Sequence, residues 1–173
     1  MRSMPLLKNG RIAEDGWALV EDGQDVPAAG PVAVSLARLK ADHAVLLAGN
    51  RPVGVKLANA DDPADLLPWL ERLSLVVLDF PKYTDGRALS QSQLLRQRHG
   101  FKGEIRATGQ VLRDQLRLMI RCGFDAMVID EADAEGVYDY SAHEFSEFYQ
   151  SATDTSDTIF VKRQRAREAK ASQ

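Results

Sequence analysis

Charged residues that can bind a small anion are concentrated in the middle of the chain, where apolar segments alternate with polar ones punctuated by glycine. Lys82, Asp85 and Arg87 follow one predicted strand. Arg106 lies within the next one. Ammonium and guanidinium groups near the N-terminus of a helix are common donors to small oxyanions in proteins. We therefore predict a ligand-binding site formed by these four residues.

The same charges also have a structural interpretation, and the sequence leaves both open. Arg106 can form an ion pair with Glu104 or Asp130, and Asp85 can cap the helix that follows it. If the site is catalytic, Lys82 and Asp130 are the candidate proton carriers. The chain contains no P-loop, no dinucleotide-binding glycine motif and no nucleophile elbow, so no further catalytic residue is indicated.

Residues that bind metals or carry out redox chemistry are few. Cys122 is the only cysteine, and it is expected at the C-terminal end of a helix, where the dipole raises the pKa of a thiol. The three histidines, His43, His99 and His143, share no spacing typical of metal ligands. The sequence therefore predicts a structural thiol, no metal site and no evident cofactor.

The elements that position these residues alternate between strand and helix. Four strands are predicted, at residues 52–58, 75–80, 104–108 and 124–129. The predicted fold class is α/β, with about four parallel βα units in an open or half-barrel-like sheet, a small N-terminal β-rich extension and a C-terminal helix. We favour an open sheet, because barrel closure needs about eight strands; pairing with a second copy in a homodimer is the alternative.

Helices are predicted from apolar spacing and capping residues, at about 35–47, 62–73, 85–99, 111–122 and 141–152. The last begins at a capping box made by Ser141 and Glu144, after an acidic loop. Residues 1–31 are expected to form the extension, with a hairpin turn at Asn9-Gly10 and a further strand at 17–20, covering one side of the sheet. A single domain is expected over 1–160, followed by a basic, flexible tail over 161–173.

Composition excludes several classes of protein. The chain has 173 residues, of which 45% are hydrophobic and 27% charged, as in an ordinary globular domain. Its net charge of −3 is too small to attract nucleic acid, and no apolar run suits a signal peptide or a membrane helix. Since a single cysteine suits a reducing compartment, we expect a soluble cytoplasmic protein with neither nucleic acid nor membrane as partner. The stripe Arg113, Arg117 and Arg121 and the basic tail are expected to be solvated or to contact an acidic partner protein.

Four segments of the central region carry a resemblance to a known family: FPKYTDGRALS, LLRQRHG, GEIRATGQVLRDQL and RCGFDA. Over roughly residues 50–130 the chain resembles a bacterial family of unknown molecular function whose members are usually labelled "oxidoreductase probably involved in sulfite reduction". The resemblance implies sulfur assimilation as the process. It implies no particular catalytic residues.

The chemistry of sulfite reduction limits the role that this resemblance implies. Reduction of sulfite needs a redox cofactor, and the haem and iron–sulfur centres that serve it require several cysteine ligands, which one cysteine cannot supply. We therefore expect an accessory protein of assimilatory sulfite reduction, which binds a small oxyanion, the sulfite reductase or another sulfur-assimilation protein. Two alternatives stay open: an enzyme acting on a small anion through a Lys/Arg/Asp site, and a protein-interaction module.

Overall fold

The computed structural model describes residues 4–153 and 157–171, and these form one sheet flanked by helices. The strands are β1 (Leu6–Lys8), β2 (Arg11–Ala13), β3 (Ala18–Val20), β4 (Val32–Ser35), β5 (Val53–Leu57), β6 (Leu73–Phe80), β7 (Glu104–Gly109) and β8 (Ala126–Val128). The α-helices are α1 (Leu36–Leu46), α2 (Arg87–Gln93), α3 (Leu116–Cys122), α4 (Ala134–His143) and α5 (Ile159–Ala171). Short 3-10 turns lie at Pro63–Leu66, Leu70–Arg72 and Arg113–Gln115, and a π-helical turn at Leu94–Arg98 follows α2.

The eight strands lie in the order β2-β1-β8-β7-β6-β5-β4-β3, and neighbours from β3 to β8 are parallel. The edge strands β2 and β3 are joined by only four residues, Glu14 to Trp17. In a flat sheet these edges would lie roughly 34 Å apart, at about 4.8 Å per strand. The link from Ala13 to Ala18 reaches at most about 18 Å. The sheet must therefore curl until its edges approach, which gives a half-barrel.

Each parallel crossover moves one strand along the sheet in the same direction, so right-handed connections place the helices on one face. That face carries the main core, which is continuous from β1 to the helices and includes the fully buried Leu39, Leu78, Phe80, Leu116 and Met119. The other face is the inside of the half-barrel.

The predicted α/β fold class is confirmed in its half-barrel-like form, and the preference for an open sheet is wrong. The four predicted strands are β5 to β8, and the hairpin at Asn9-Gly10 joins β1 to β2. Asn9 and Gly10 both have positive φ, the backbone that a tight hairpin turn requires. Strand β4 was not predicted, since it has four residues and Ser35 both ends it and caps α1 by accepting from the Arg38 N–H at 3.1 Å. The extension does not simply cover the sheet, because its strands extend both edges.

Two predicted helices are wrong. The segment 62–73 forms two 3-10 turns rather than a helix, because Pro68 has no N–H for the helical ladder and Leu73 already belongs to β6. The capping box at Ser141 does not exist: the Ser141 hydroxyl donates to the Val137 carbonyl inside α4 at 2.8 Å. The acidic run begins that helix instead.

The C-terminal part differs from the prediction at the start of α4 and in its last helix. Asp133 caps α4 by accepting from the Gly136 N–H at 3.0 Å, and negative charge is favourable at a helix N-terminus. The basic segment expected as a tail is helical from Ile159 to Ala171. No helix within the described residues is long and apolar enough to cross a membrane.

Candidate functional site

The inner face of the half-barrel carries charged residues in register. Lys56 on β5 pairs with Val77 on β6, which pairs with Arg106 on β7. Asp79 and Thr108 pair with each other one inner-face layer closer to the carboxyl ends of the strands. Since side chains alternate along a strand, these residues point away from the helices. The inner face therefore combines these charged groups with a small apolar cluster that includes Val77, whereas the outer face carries the main apolar core.

Arg106 is held in a buried network of ion pairs. Its side chain is only 5% exposed, and its Nη2 lies 2.7 Å from Glu104 Oε1. Its Nη1 lies 2.9 Å from Asp15 Oδ1, on the link between β2 and β3. Lys8 completes the network at 2.7 Å from the other oxygen of Glu104. The buried pair of Arg106 and Glu104 is thus completed by two partly exposed charges, so neither buried group is left unpaired.

The loop after β6 carries the other predicted ligand-binding residues. Arg87 forms a two-pronged ion pair with Asp85, through Nε at 3.0 Å and Nη2 at 2.7 Å. The hydrogen bonds from Arg87 hold the pKa of the Asp85 carboxyl well below its usual range. The Asn59 amide contributes to that lowering, although neither of its polar atoms completes a hydrogen bond of good geometry. Lys82 is exposed on the same loop.

The structure therefore brings Asp85 and Arg87 together but does not gather the three predicted cations. Among the described residues, no contact joins Arg106 to Lys82 or to Arg87. Both guanidinium groups are neutralised by neighbouring carboxylates. Arg106 has the structural role that the alternative interpretation gave it, through Glu104 rather than Asp130.

Asp130 lies in a different part of the molecule. It is exposed and lines an open groove of about 560 Å³ beside the hairpin, together with Glu131, Asp133 and Glu135. Glu135 accepts from the Ile12 N–H at 2.8 Å, and this hydrogen bond lowers the pKa of its carboxyl. The groove is acidic, so it does not favour an anionic ligand.

A cleft that the sequence did not single out opens between the carboxyl ends of β3 to β6. It has a volume of about 370 Å³, and Lys56 and Asp79 lie side by side in it. The Lys56 Nζ is 3.7 Å from Asp79 Oδ1, and Thr108 donates to the same oxygen at 3.0 Å. Asp79 was overlooked because its strand is otherwise apolar. A lone acid near the end of such a strand was the available signal.

Amide side chains surround the loop after β6. Gln110 accepts from the Tyr83 N–H at 3.2 Å, and Gln115 donates to the Tyr83 carbonyl at 2.7 Å. On the other side, Gln91 holds the turn after β5 by donating to the carbonyls of Ala58 and Asp61. These contacts fix the loop between β5 and β7.

Cys122 ends α3 and is buried, as the prediction of a structural thiol required. Burial raises the pKa of this thiol, and the nearby Arg121 only partly opposes the effect. The Ser92 hydroxyl donates to the Cys122 carbonyl at 2.8 Å, which ties α2 to α3. Within the described ranges, no three histidine, cysteine or acidic side chains are grouped closely enough to hold a metal ion.

Two arginines of the predicted basic stripe hold the segment after α4. The Arg117 guanidinium lies over the Phe145 ring at 4.2 Å, and Arg121 lies over Phe148 at 4.1 Å. Arg121 also donates to the Gln150 carbonyl at 2.7 Å. Two of the three arginines of the stripe therefore make contacts within the molecule. The basic residues of α5, in contrast, are exposed to solvent.

Comparison with known proteins gives a family. No curated protein matches the chain. A family model described as "Bacterial protein of unknown function (DUF934)" matches residues 54–160, which is more than half of the sequence and runs from β5 to the start of α5. The chain therefore belongs to the DUF934 family of bacterial proteins of unknown function.

Proposed function

We propose that this protein is a cytoplasmic accessory factor of assimilatory sulfite reduction that docks on the sulfite reductase through α5. The process comes from the resemblance carried by the segments FPKYTDGRALS and GEIRATGQVLRDQL, which lie within the residues matched by the family. The mode of action comes from α5, and this helix is the observation that carries the proposal.

Helix α5 differs in charge from the rest of the chain. Its thirteen residues include five basic ones, Lys162, Arg163, Arg165, Arg167 and Lys170, and one acidic one, Glu168, which gives a net charge of +4. The whole chain has a net charge of −3, so the remainder carries −7. Opposite charges are thus separated along the molecule, and a basic helix of this kind is attracted to an acidic surface.

The helix is held at its start and displayed along its length. Its first N–H, from Ile159, donates to the Phe148 carbonyl at 2.8 Å, and Lys162 pairs with Glu147 at 2.9 Å. Phe160 packs edge-on against Tyr149, with ring centroids 5.1 Å apart. Residues 160–170 are all exposed. Beyond its first turn the helix buries no face and gains little from packing, so its sequence there is better explained by a partner than by folding.

A docking role also fits the chemistry of the process. The multi-electron reduction of sulfite takes place on redox centres that need several thiolate ligands, and the single cysteine of this chain is buried at the end of α3. The catalytic centres therefore belong to the partner. This chain contributes a rigid half-barrel that presents the basic helix.

The test is direct binding of the purified full-length chain to the purified sulfite reductase of the same organism. Reversing two charges on α5, with Arg163→Glu and Arg167→Glu, should weaken binding about tenfold or more. The matched control, Lys102→Glu with Arg98→Glu, makes the same change of net charge on exposed residues of the body and should bind as the wild type does. Absence of wild-type binding, or equal loss in both variants, would contradict docking through α5.

A genetic measurement tests the process separately. Deletion of the gene should slow growth on sulfate or sulfite as the only sulfur source, and the effect should disappear when a reduced sulfur compound is supplied. Unchanged growth on sulfite would remove sulfite assimilation from the proposal, whatever the binding experiment shows.

A further inference from the structure

The cleft between the carboxyl ends of β3 to β6 has the position and size of a small-molecule site. In parallel α/β sheets, ligands bind beyond the carboxyl ends of the strands. Its volume of about 370 Å³ suits a compact ligand. Its apolar wall includes Leu19, Val20 and Leu36, and its polar groups are Glu21, Ser35, Lys56, Asp61 and Asp79.

Lys56 supplies the positive charge of the cleft, and its partner holds it loosely. The only ion pair of its Nζ among the described residues is the one with Asp79 at 3.7 Å, which is too long for a hydrogen bond. Its side chain is 37% exposed, so the ammonium group can still donate to a ligand. The first turn of α1, with Leu36 and Ala37, lines the cleft on the same side and adds the positive end of an eleven-residue helix.

Carboxylates supply the negative charge. Asp61 accepts from the Ala58 N–H at 2.8 Å through one oxygen, which leaves the other for a ligand. Glu21 forms no side-chain hydrogen bond or ion pair within the described residues and lies at the exposed rim. Asp79 already has Thr108 and Lys56 as neighbours. The cleft therefore contains charged groups of both signs.

The buried side chain of Gln91 holds the turn that carries Asp61 in place. Gln91 is only 4% exposed, and its Nε2 donates to the Ala58 and Asp61 carbonyls at 2.8 and 2.9 Å. Its Oε1 is buried without a hydrogen-bond partner among the described residues. Leaving a buried carbonyl oxygen unpaired costs free energy, so this oxygen calls for a partner that the described residues do not supply.

The cleft has one ammonium group among three carboxylates, a balance that disfavours a simple anion such as sulfite. A ligand that carries both charges can pair with both kinds of group. We propose that the cleft binds a free α-amino acid, whose carboxylate contacts Lys56 and the first turn of α1 and whose ammonium group contacts Glu21 and Asp61.

The binding test uses the full-length chain and a panel of the common α-amino acids, measured first by thermal shift and then by calorimetry. At least one amino acid should raise the melting temperature. For that ligand, the amine and the carboxylic acid that each lack one of its two charged groups, for example ethylamine and propionate in the case of alanine, should bind at least about tenfold more weakly.

Variants locate the site. Lys56→Met and Glu21→Gln should each reduce the affinity about tenfold, because each removes one charged contact. Lys102→Met is the matched control: it removes an exposed lysine from the loop before β7, at the opposite end of the strands, and should bind as the wild type does. Glu21 lies at the exposed rim, so its variant reports on binding even if Lys56→Met folds poorly. The proposal is overturned if no α-amino acid binds, if the amine or the acid alone binds equally well, or if Glu21→Gln binds at full affinity.

Discussion

The body of the molecule and its last helix, α5, differ in how far their residues are buried and in the balance of their charges. In the body, strands β3 to β8 bury an apolar face under helices, and even the charged inner face is paired, as Arg106 is by Glu104 and Asp15. In α5, residues 160–170 are all exposed and basic residues predominate. The difference indicates that α5 contributes little to the core, and the proposed docking on a partner would account for its charge.

The largest effect is expected from a cavity in the body. Phe80 is fully buried at the end of β6 and packs against Phe124, with ring centroids 5.9 Å apart. Phe80→Ala should lower the free energy of unfolding by about 3–5 kcal/mol in urea denaturation. Phe160→Ala is the matched change on α5, where the ring is 52% exposed, and it should cost under about 0.5 kcal/mol. Similar losses in the two variants would erase the contrast between the regions.

A somewhat smaller effect is expected from the inner face. Arg106→Ala removes a buried guanidinium from Glu104, whose side chain is 8% exposed, but Lys8 still neutralises that carboxylate. The expected loss is about 2–3 kcal/mol in the same denaturation experiment. Arg163→Ala on α5 provides the comparison and should leave stability unchanged. A loss below about 0.5 kcal/mol at Arg106 would show that the network is not structural.

Removal of a helix cap in the body should cause a smaller loss of stability. The Ser35 hydroxyl accepts from the Arg38 N–H at 3.1 Å and donates to Asp22 at 2.6 Å. Ser35→Ala should therefore cost about 1 kcal/mol, measured by thermal and chemical denaturation. Ser35→Asp keeps an acceptor at the cap but faces Asp22, so it should recover only part of the loss. An unchanged Ser35→Ala variant would mean that α1 is fixed by packing alone.

The smallest effect on stability is expected from removing α5 itself. A chain that ends before Ile159 should unfold within about 0.5 kcal/mol of the full-length protein, because residues 160–170, which make up most of the segment removed, are exposed. Loss of more than about 2 kcal/mol would show that α5 stabilises the body and would weaken the argument for docking.

The sequence predicted those parts of the fold that follow from local pattern. The apolar run of β6 and the alternation in β7 identified strands, and Asn9-Gly10 identified the hairpin. The curl of the sheet could not be predicted locally, because it follows from the short link between its two edge strands. Ser141 was misread because one hydroxyl can cap a helix or bond back to the preceding turn, and only the start of α4 at Asp133 decides between them.

In the candidate site, too, the sequence indicated residues that pair locally but not contacts between residues far apart in the chain. Pairing of Asp85 with Arg87 is local, and the sequence indicated both residues. The partner of Arg106 is partly remote, since Asp15 lies 91 residues away along the chain and no spacing rule connects them. The cleft joins Glu21, Lys56 and Asp79 from three strands or strand ends, and only the register of the sheet brings them together.

Docking through α5 is tested most directly by the dissociation constant for the sulfite reductase, measured for the full-length chain and for the chain that ends before Ile159. The full-length protein should bind, and its binding should weaken as salt is raised, because the attraction is between exposed charges. The shortened chain should fold and fail to bind. Equal affinity of the two proteins, or no binding by either, would contradict the account.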